Sequence, residues 1–253
     1  MTDPAVPSVA RMYDYFLGGK DHFAADRAAA EQMIAAMPEI ARIARANRRF
    51  LVRAVRYLAE QGIDQFIDVG AGIPTSPNVH EVAREVRPGA RVVYVDNDPV
   101  VMAYTRALRV GDGVLGVAAD ASDTAAVLQS PCVRELIDFD RPIAVLFIAV
   151  IHYLGDDARV RAVLEAYRDA LPPGSWLAAS VAGESTLDVE NVARVTSTVG
   201  RSGSQVISRD RAHVRALLRD IDPVDPGVVP LTEWHATEPG LRSTMFAAVG
   251  PFR

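Results

Sequence analysis

Two apolar runs that each end in an acid constrain this chain more than any other feature. The first, IDVGAGIP (Ile67 to Pro74), carries Asp68 into a tight Gly-x-Gly turn. The second, VVYVDNDP (Val92 to Pro99), follows it and ends in Asp96. A parallel α/β sheet builds a pocket for an adenosine-containing cofactor in this way, at the carboxyl ends of its strands. Gly70 and Gly72 let the backbone approach a ligand closely. Asp96 offers its carboxylate to two ribose hydroxyls.

The length of 253 residues suits one large α/β domain with additions, or two small ones. No uninterrupted apolar segment approaches the roughly 20 residues of a membrane helix. The N-terminus, MTDPAVPSVARMYDYF, lacks the basic start, apolar run and cleavage site of a secretory signal. A single cysteine, Cys132, excludes an internal disulfide framework. These features predict a cytoplasmic protein. The net charge of −5 argues against nucleic acid as substrate, because phosphate neutralisation needs a basic surface. The densest basic group, Arg42, Arg45, Arg48, Arg49, Arg53 and Arg56, reads as the solvated face of one helix, with a local basic patch as the alternative. His22, His80, His152, His213 and His235 show no metal-ligand spacing, so no metal is expected.

The first sixty residues read as helical. Ser8 can cap a helix through Leu17, which Gly18-Gly19 ends. A second helix fits Ala24 to Ala36, and a third Glu39 to Gln61. The third carries Ile40, Ile43, Asn47, Leu51, Ala54 and Leu58 on one stripe, with Asn47 the odd member. Asn47 either bonds local backbone or faces the cofactor pocket. From Gln65 strands alternate with helices: Phe66 to Val69, Arg91 to Val95, Val114 to Ala118, Ile143 to Ile148 and Trp176 to Val181 read as strands. Helices begin near Asn78, Pro99, Ser122 and Asp156. This alternation indicates a parallel sheet covered on both faces. Toward the C-terminus helices fit Leu187 to Val199 and, capped by Ser208, on to Ile221. Val224 to Val229 and Thr244 to Val249 then read as an antiparallel pair, joined by a loop with Trp234, His235 and Pro239.

No G-x-x-x-x-G-K-[ST] is present, which excludes a P-loop. The dinucleotide fingerprint G-x-G-x-x-G fails at Thr75, which follows Pro74. S-adenosylmethionine carries no phosphate and does not need that approach. It needs a glycine turn by its methionine portion, an acid for the ribose and an acid or amide near the adenine. GVAADASD (Gly116 to Asp123) ends a strand in Asp120, next to Ala121. Asp120 could accept from the adenine amino group, or cap the helix starting near Ser122.

PSVARMYDYFLGGKDHFAADR (Pro7 to Arg27), Asn47-Arg48, DVGAGIPT (Asp68 to Thr75), VYVDNDPVV (Val93 to Val101) and RPIAVLFIAVIHYL (Arg141 to Leu154) resemble the bacterial S-adenosyl methyltransferase family, long classed as a domain of unknown function. The resemblance covers nearly the whole chain. It implies an α/β class I methyltransferase fold, Rossmann-like and mostly parallel. A helical cap over residues 1–62 would precede a cofactor-binding core over 63–253. By position, Gly70, Gly72, Asp96, Asn97 and Asp120 would line S-adenosylmethionine. Asp68, Ala71, Thr75 and Ala121, in the same turns, are further cofactor-binding candidates. The resemblance leaves the methyl acceptor open; a small molecule is the expectation.

Methyl transfer is an in-line displacement, and a general base is needed only for a nucleophile that arrives protonated. His152 and Tyr153, just beyond the fourth strand, are the acceptor-side candidates; His152 could equally fill the strand end. Cys132 reads as packing, since Pro131-Cys132 precedes that strand. No Asp/Asn-Pro-Pro-aromatic motif follows it. The tract YDYFLGGKDHFAADR reads as a lid, in which Tyr13 and Lys20 would face ligand; Lys20 or Arg48 could pair with the methionine carboxylate. A cap with solvated charges is the plainer reading of the same tract. A second functional reading is a cofactor-binding sensor without turnover.

Overall fold

A computed structural model describes residues 3–107, 113–183, 187–236 and 243–253. Three helices come first: α1 (Val9–Leu17), α2 (Ala24–Ala36) and α3 (Ile40–Glu60). Five parallel strands follow, β1 (Gln65–Val69), β2 (Arg91–Asp96), β3 (Val114–Ala118), β4 (Ala144–Ile148) and β5 (Trp176–Ala182). Between them run α4 (Val79–Val86), α5 (Pro99–Ala107), α6 (Thr124–Leu128), α7 (Pro131–Leu136) and α8 (Asp157–Ala170). After β5 come α9 (Val189–Gly200), α10 (Arg211–Leu217), β6 (Val229–Pro230) and β7 (Met245–Pro251). The sheet order is β3-β2-β1-β4-β5-β7-β6, with β7 antiparallel to both neighbours.

Successive residues of a strand point to opposite faces, so these apolar runs feed two cores. Ile67, Val69, Val93, Val95 and Phe147 pack with Val160, Leu164 and Tyr167 of α8. Phe66, Val92, Tyr94 and Leu146 pack with Phe50 and Leu58 of α3 on the other face. Of the N-terminal helices, α3 therefore belongs to the sheet's own core. By contrast, α1 and α2 form a smaller core around Met12, Phe16, Ala29, Ala30 and Met33, closed by Val199 of α9.

Several boundaries differ from expectation for local reasons. The expected strand Val224 to Val229 shrinks to β6, because Asp225-Pro226-Gly227 forms a turn closed by Gly227 N–H on the Val224 carbonyl (2.7 Å). The long partner of β7 is β5, and Pro239 lies outside the described residues. The helix expected from Ser208 starts after Asp210, whose carboxylate accepts from His213 N–H. Arg209 is instead buried, bonded to Asp157 (2.8 Å) and the Gly155 carbonyl (2.7 Å). The helix expected near Ser122 starts at Thr124 under an Asp123 cap. The short α7, with Pro131 in its first turn, has no periodicity to announce it. Cys132 sits on it exposed, which corrects its reading as packing.

The arginine-rich face of α3 is solvated at Arg42, Arg45, Arg49 and Arg56, as expected, while Arg48 and Arg53 are partly buried. Arg45 donates to the Phe16 carbonyl (3.1 Å) and Arg53 to the Trp234 carbonyl (3.0 Å), so these side chains tie α3 to distant segments. Among the described residues no helix is long and apolar enough to cross a membrane.

The turn after β1 is held against β2 by Gly70 and Ala71 N–H groups on the Val95 carbonyl (2.8 and 3.0 Å). Gly70 has φ +71°, and a Cβ there would lie 2.3 Å from Val150 Cγ2. Gly70→Ala combines left-handed strain with overpacking and should cost about 2–4 kcal/mol. Thermal melting checks this: an unchanged midpoint would refute the packing described for this turn.

Candidate functional site

The carboxyl ends of the strands open into a cavity of about 1190 Å³, covered by α1, α2, α3 and α9. Small-molecule pockets are usually about 300–1,000 Å³, so this one is large. All the candidate cofactor-binding and acceptor-side residues line it except Lys20 and Thr75. Lys20 is exposed and lies outside the cavity wall. Thr75 borders a separate crevice behind the turn, beside Arg48 and Asp68.

Asp96 ends β2 and organises the glycine turn. One carboxylate oxygen accepts Gly72 N–H and the other Asp98 N–H, both at 2.9 Å. Burial pushes its pKa up, against the pull of those backbone bonds. A carboxylate has about four acceptor positions, so Asp96 retains capacity toward the cavity. Gly72 has φ +66°, and a Cβ there would meet nothing within 4 Å. The backbone thus presents a bare surface to open space.

Asp68 is buried on β1 and lines the same wall. Its pKa rises to about 7, first because of burial; Arg48 pulls it down and Asp96 pushes it up. A carboxyl held there favours a cationic neighbour. Arg48 donates to the Thr75 and Pro77 carbonyls, the latter at 2.6 Å, bracing the loop after β1. Its Nε is buried without a hydrogen-bond partner.

Asp120 does not cap α6. It accepts Ser122 N–H (2.8 Å) and the Ser122 hydroxyl (2.6 Å), and Asn97 donates to it at 3.3 Å. These bonds, the Ser122 hydroxyl foremost, lower its pKa. Ala121 lines the cavity beside it.

Asn47 bonds neither local backbone nor open space alone. Its amide donates to Tyr13 Oη (2.9 Å), and its carbonyl oxygen accepts the Ser180 hydroxyl (2.6 Å). Tyr13 donates onward to the Ala44 carbonyl (3.0 Å). Ser180 also accepts Ala149 N–H (2.9 Å), where a non-glycine residue sits at φ 60°. One chain of bonds therefore runs from α1 to the turn after β4.

His152 and Tyr153 lie in a single 3₁₀ turn, Ile151–Tyr153, that follows it. His152 is buried and its Nδ1 accepts Ala182 N–H (3.3 Å), which assigns the ring proton to Nε2. Burial, helped by Arg209, pushes its pKa down to about 3. Burial raises Tyr153, with Tyr13 adding to the effect.

The sequence reading missed the link between the first two helices and the sheet. Arg11 is buried and donates to Asp26 (2.8 Å), Asp98 (3.0 Å) and the Val6 carbonyl (2.8 Å). Ser8 occupies the N-cap position, yet its hydroxyl goes to Asp98 (2.6 Å) and its N–H to Asp26 (2.8 Å). Asp98, two residues past Asp96, thus joins α1 and α2 to the end of β2. The pattern DNDP held the only hint, a second acid after the first.

A seven-stranded sheet in this order, with a glycine turn and acids at its strand ends, has the class I methyltransferase fold. The sequence profile of the S-adenosyl methyltransferase family matches residues 1–250, and the chain belongs to that family. Its cofactor is accordingly S-adenosylmethionine. The chain is similar to a provisionally assigned methyltransferase from Thermobifida fusca YX: 39% identity, TM-score 0.91, covering 98% of this chain and 96% of that one. A DUF574-family protein from Streptomyces avermitilis MA-4680 is similar at 37% identity and TM-score 0.90, covering 99% of both chains. The 1,6-didemethyltoxoflavin-N1-methyltransferase of Burkholderia thailandensis shares the fold alone, at 19% identity and TM-score 0.50, covering 82% of this chain and 78% of that one. No curated protein matches the chain in sequence.

Proposed function

We propose that this chain transfers a methyl group from S-adenosylmethionine to a small molecule held between the strand ends and the helices above them. The observation that carries the reading is the size and placement of the cavity. At about 1190 Å³ it exceeds the usual room for one ligand, and its remaining volume lies under α1, α2 and α9.

The residues present fit the cofactor. Gly72 offers a bare backbone surface that any side chain would fill. Asp96 would take the ribose hydroxyls, and Asp120 with Asn97 and Ala121 would meet the adenine. Asp68 would face the ammonium, and the unpartnered Nε of Arg48 fits a carboxylate. Residues 1–62 would act as a cap on the 63–253 core, anchored through α3 and closed by α1 and α2.

When bound, the cofactor supplies a sulfonium methyl group: the acceptor's lone pair bonds to that carbon while the carbon–sulfur pair withdraws to sulfur. The chain's contribution is to align the two and exclude water. His152 is neutral at physiological pH with its proton on Nε2, so it serves as a hydrogen-bond donor rather than a base. Tyr153, held protonated by burial, would position the acceptor from the same turn. An acceptor whose nucleophile is already unprotonated suits such a site.

The test is incubation with S-adenosylmethionine and fractionated small metabolites, read as S-adenosylhomocysteine by mass spectrometry. Product that depends on a small-molecule fraction supports the reading. Product that appears only with protein or nucleic acid contradicts it.

A further inference from the structure

The cavity's charges are segregated. Asp68, Asp96, Asp98 and Asp120 lie on or just past β1, β2 and β3. The lining arginines are tied to the same ends: Arg11 to Asp98, Arg48 to the Thr75 carbonyl, Arg159 to Ser122 (2.8 Å). Asp3 joins them through Val6, whose N–H bonds the Asp3 carbonyl and whose own carbonyl takes Arg11.

The other end is built differently. Met33 and Met37 of α2 and its C-terminal cap, Ile40 of α3, and Val195 and Val199 of α9 line it, with Tyr13 and the neutral His152. None of these side chains is formally charged; Arg48, whose charge reaches Tyr13, is held by the loop after β1. On α9, Val192, Val195, Thr196 and Val199 share the lining face at three- and four-residue spacing. Glu190 and Arg194 pair with each other elsewhere on the helix (2.6 Å). The first turn of α9 also leaves Val189 87% and Val192 41% exposed, so an apolar mouth adjoins the chamber.

We propose that the methyl acceptor is an uncharged molecule with an apolar body, received in the chamber under α1, α2 and α9. This rests on the methyl-transfer reading above. A charged acceptor entering there would lose its hydration against these walls, and the apolar side chains named above offer it no opposite charge, a cost that such sites do not recover. An apolar body gains from the same walls, and the two methionines adapt to flat aromatic shapes.

Two fluorescent probes with one skeleton test the charge rule, N-phenyl-1-naphthylamine and its sulfonated analogue 8-anilino-1-naphthalenesulfonate. Both are titrated into protein saturated with S-adenosylhomocysteine, whose own binding is measured first. Failure of that first titration would count against the methyltransferase reading. With it in hand, the neutral probe should bind at least tenfold more tightly than the sulfonate. Thr196→Lys places a cation in the chamber and should cut that ratio tenfold or reverse it. Val192→Lys on the same face serves if Thr196→Lys melts far below the parent. Absent binding of the neutral probe, equal affinity for both, or an unchanged ratio in the lysine variants would each overturn the proposal.

Discussion

Replacing Arg11 with alanine should destabilise the protein by about 3–5 kcal/mol, a fall in melting temperature of roughly 10 °C for a chain of this size. The loss comes from what is left behind. Asp26 is 0% exposed and takes Arg11 Nε at 2.8 Å, along with Ser8 and Phe23 N–H groups. Asp98 takes Arg11 Nη1 at 3.0 Å. Without the guanidinium one fully buried carboxylate has no cation and a second loses its partner. The same logic predicts non-additivity: Arg11→Ala with Asp26→Asn should recover part of the loss, because the stranded charge is gone. A single variant within about 2 °C of the parent would show that the network contributes nothing, contrary to this account.

Asp68→Asn should separate binding from stability. On the proposed cofactor placement the variant removes the charge that meets the ligand ammonium, and it should weaken S-adenosylmethionine binding tenfold to a hundredfold, by about 1.5–3 kcal/mol. Its effect on folding has the opposite sign. The folded-state pKa of about 7 lies above the ordinary 3.8, so the folded chain holds this proton more tightly than the unfolded chain does. Stability from this group is therefore greatest at low pH and falls as pH rises between about 4 and 7. The variant lacks that slope and should melt at or above the parent at pH 7.5. Ligand binding in the parent needs the ionised form, so affinity should rise about five- to tenfold from pH 6 to 7.5 and stay flat in the variant. Calorimetry and melting at both pH values check the two signs independently.

The fold was legible because the five parallel strands are short, apolar and flanked by turns, and burial on both faces leaves no competing pattern. The strand β6 was not, since two residues beside a Pro-Gly turn carry no periodicity. At the site, acids at strand ends and an amide on an apolar stripe stood out as exceptions. Asn47 earned its notice by its place, although its partners Tyr13 and Ser180 are 34 and 133 residues away and invisible to local reading. Arg11 and Asp26 were overlooked because charges 15 residues apart on two helices read as solvated until the helices pack. Lys20 was overvalued for sitting beside a glycine pair; the chain turns it outward.

The most direct measurement is calorimetric titration of the full chain with S-adenosylmethionine, S-adenosylhomocysteine and NAD, with Asp96→Ala as control. Asp96 both anchors Gly72 and faces the cavity, so the site described here depends on it. Micromolar binding of the two adenosyl ligands, absent for NAD and lost in a folded Asp96→Ala, is the predicted result. Undiminished binding in that variant would place the cofactor elsewhere and contradict the site.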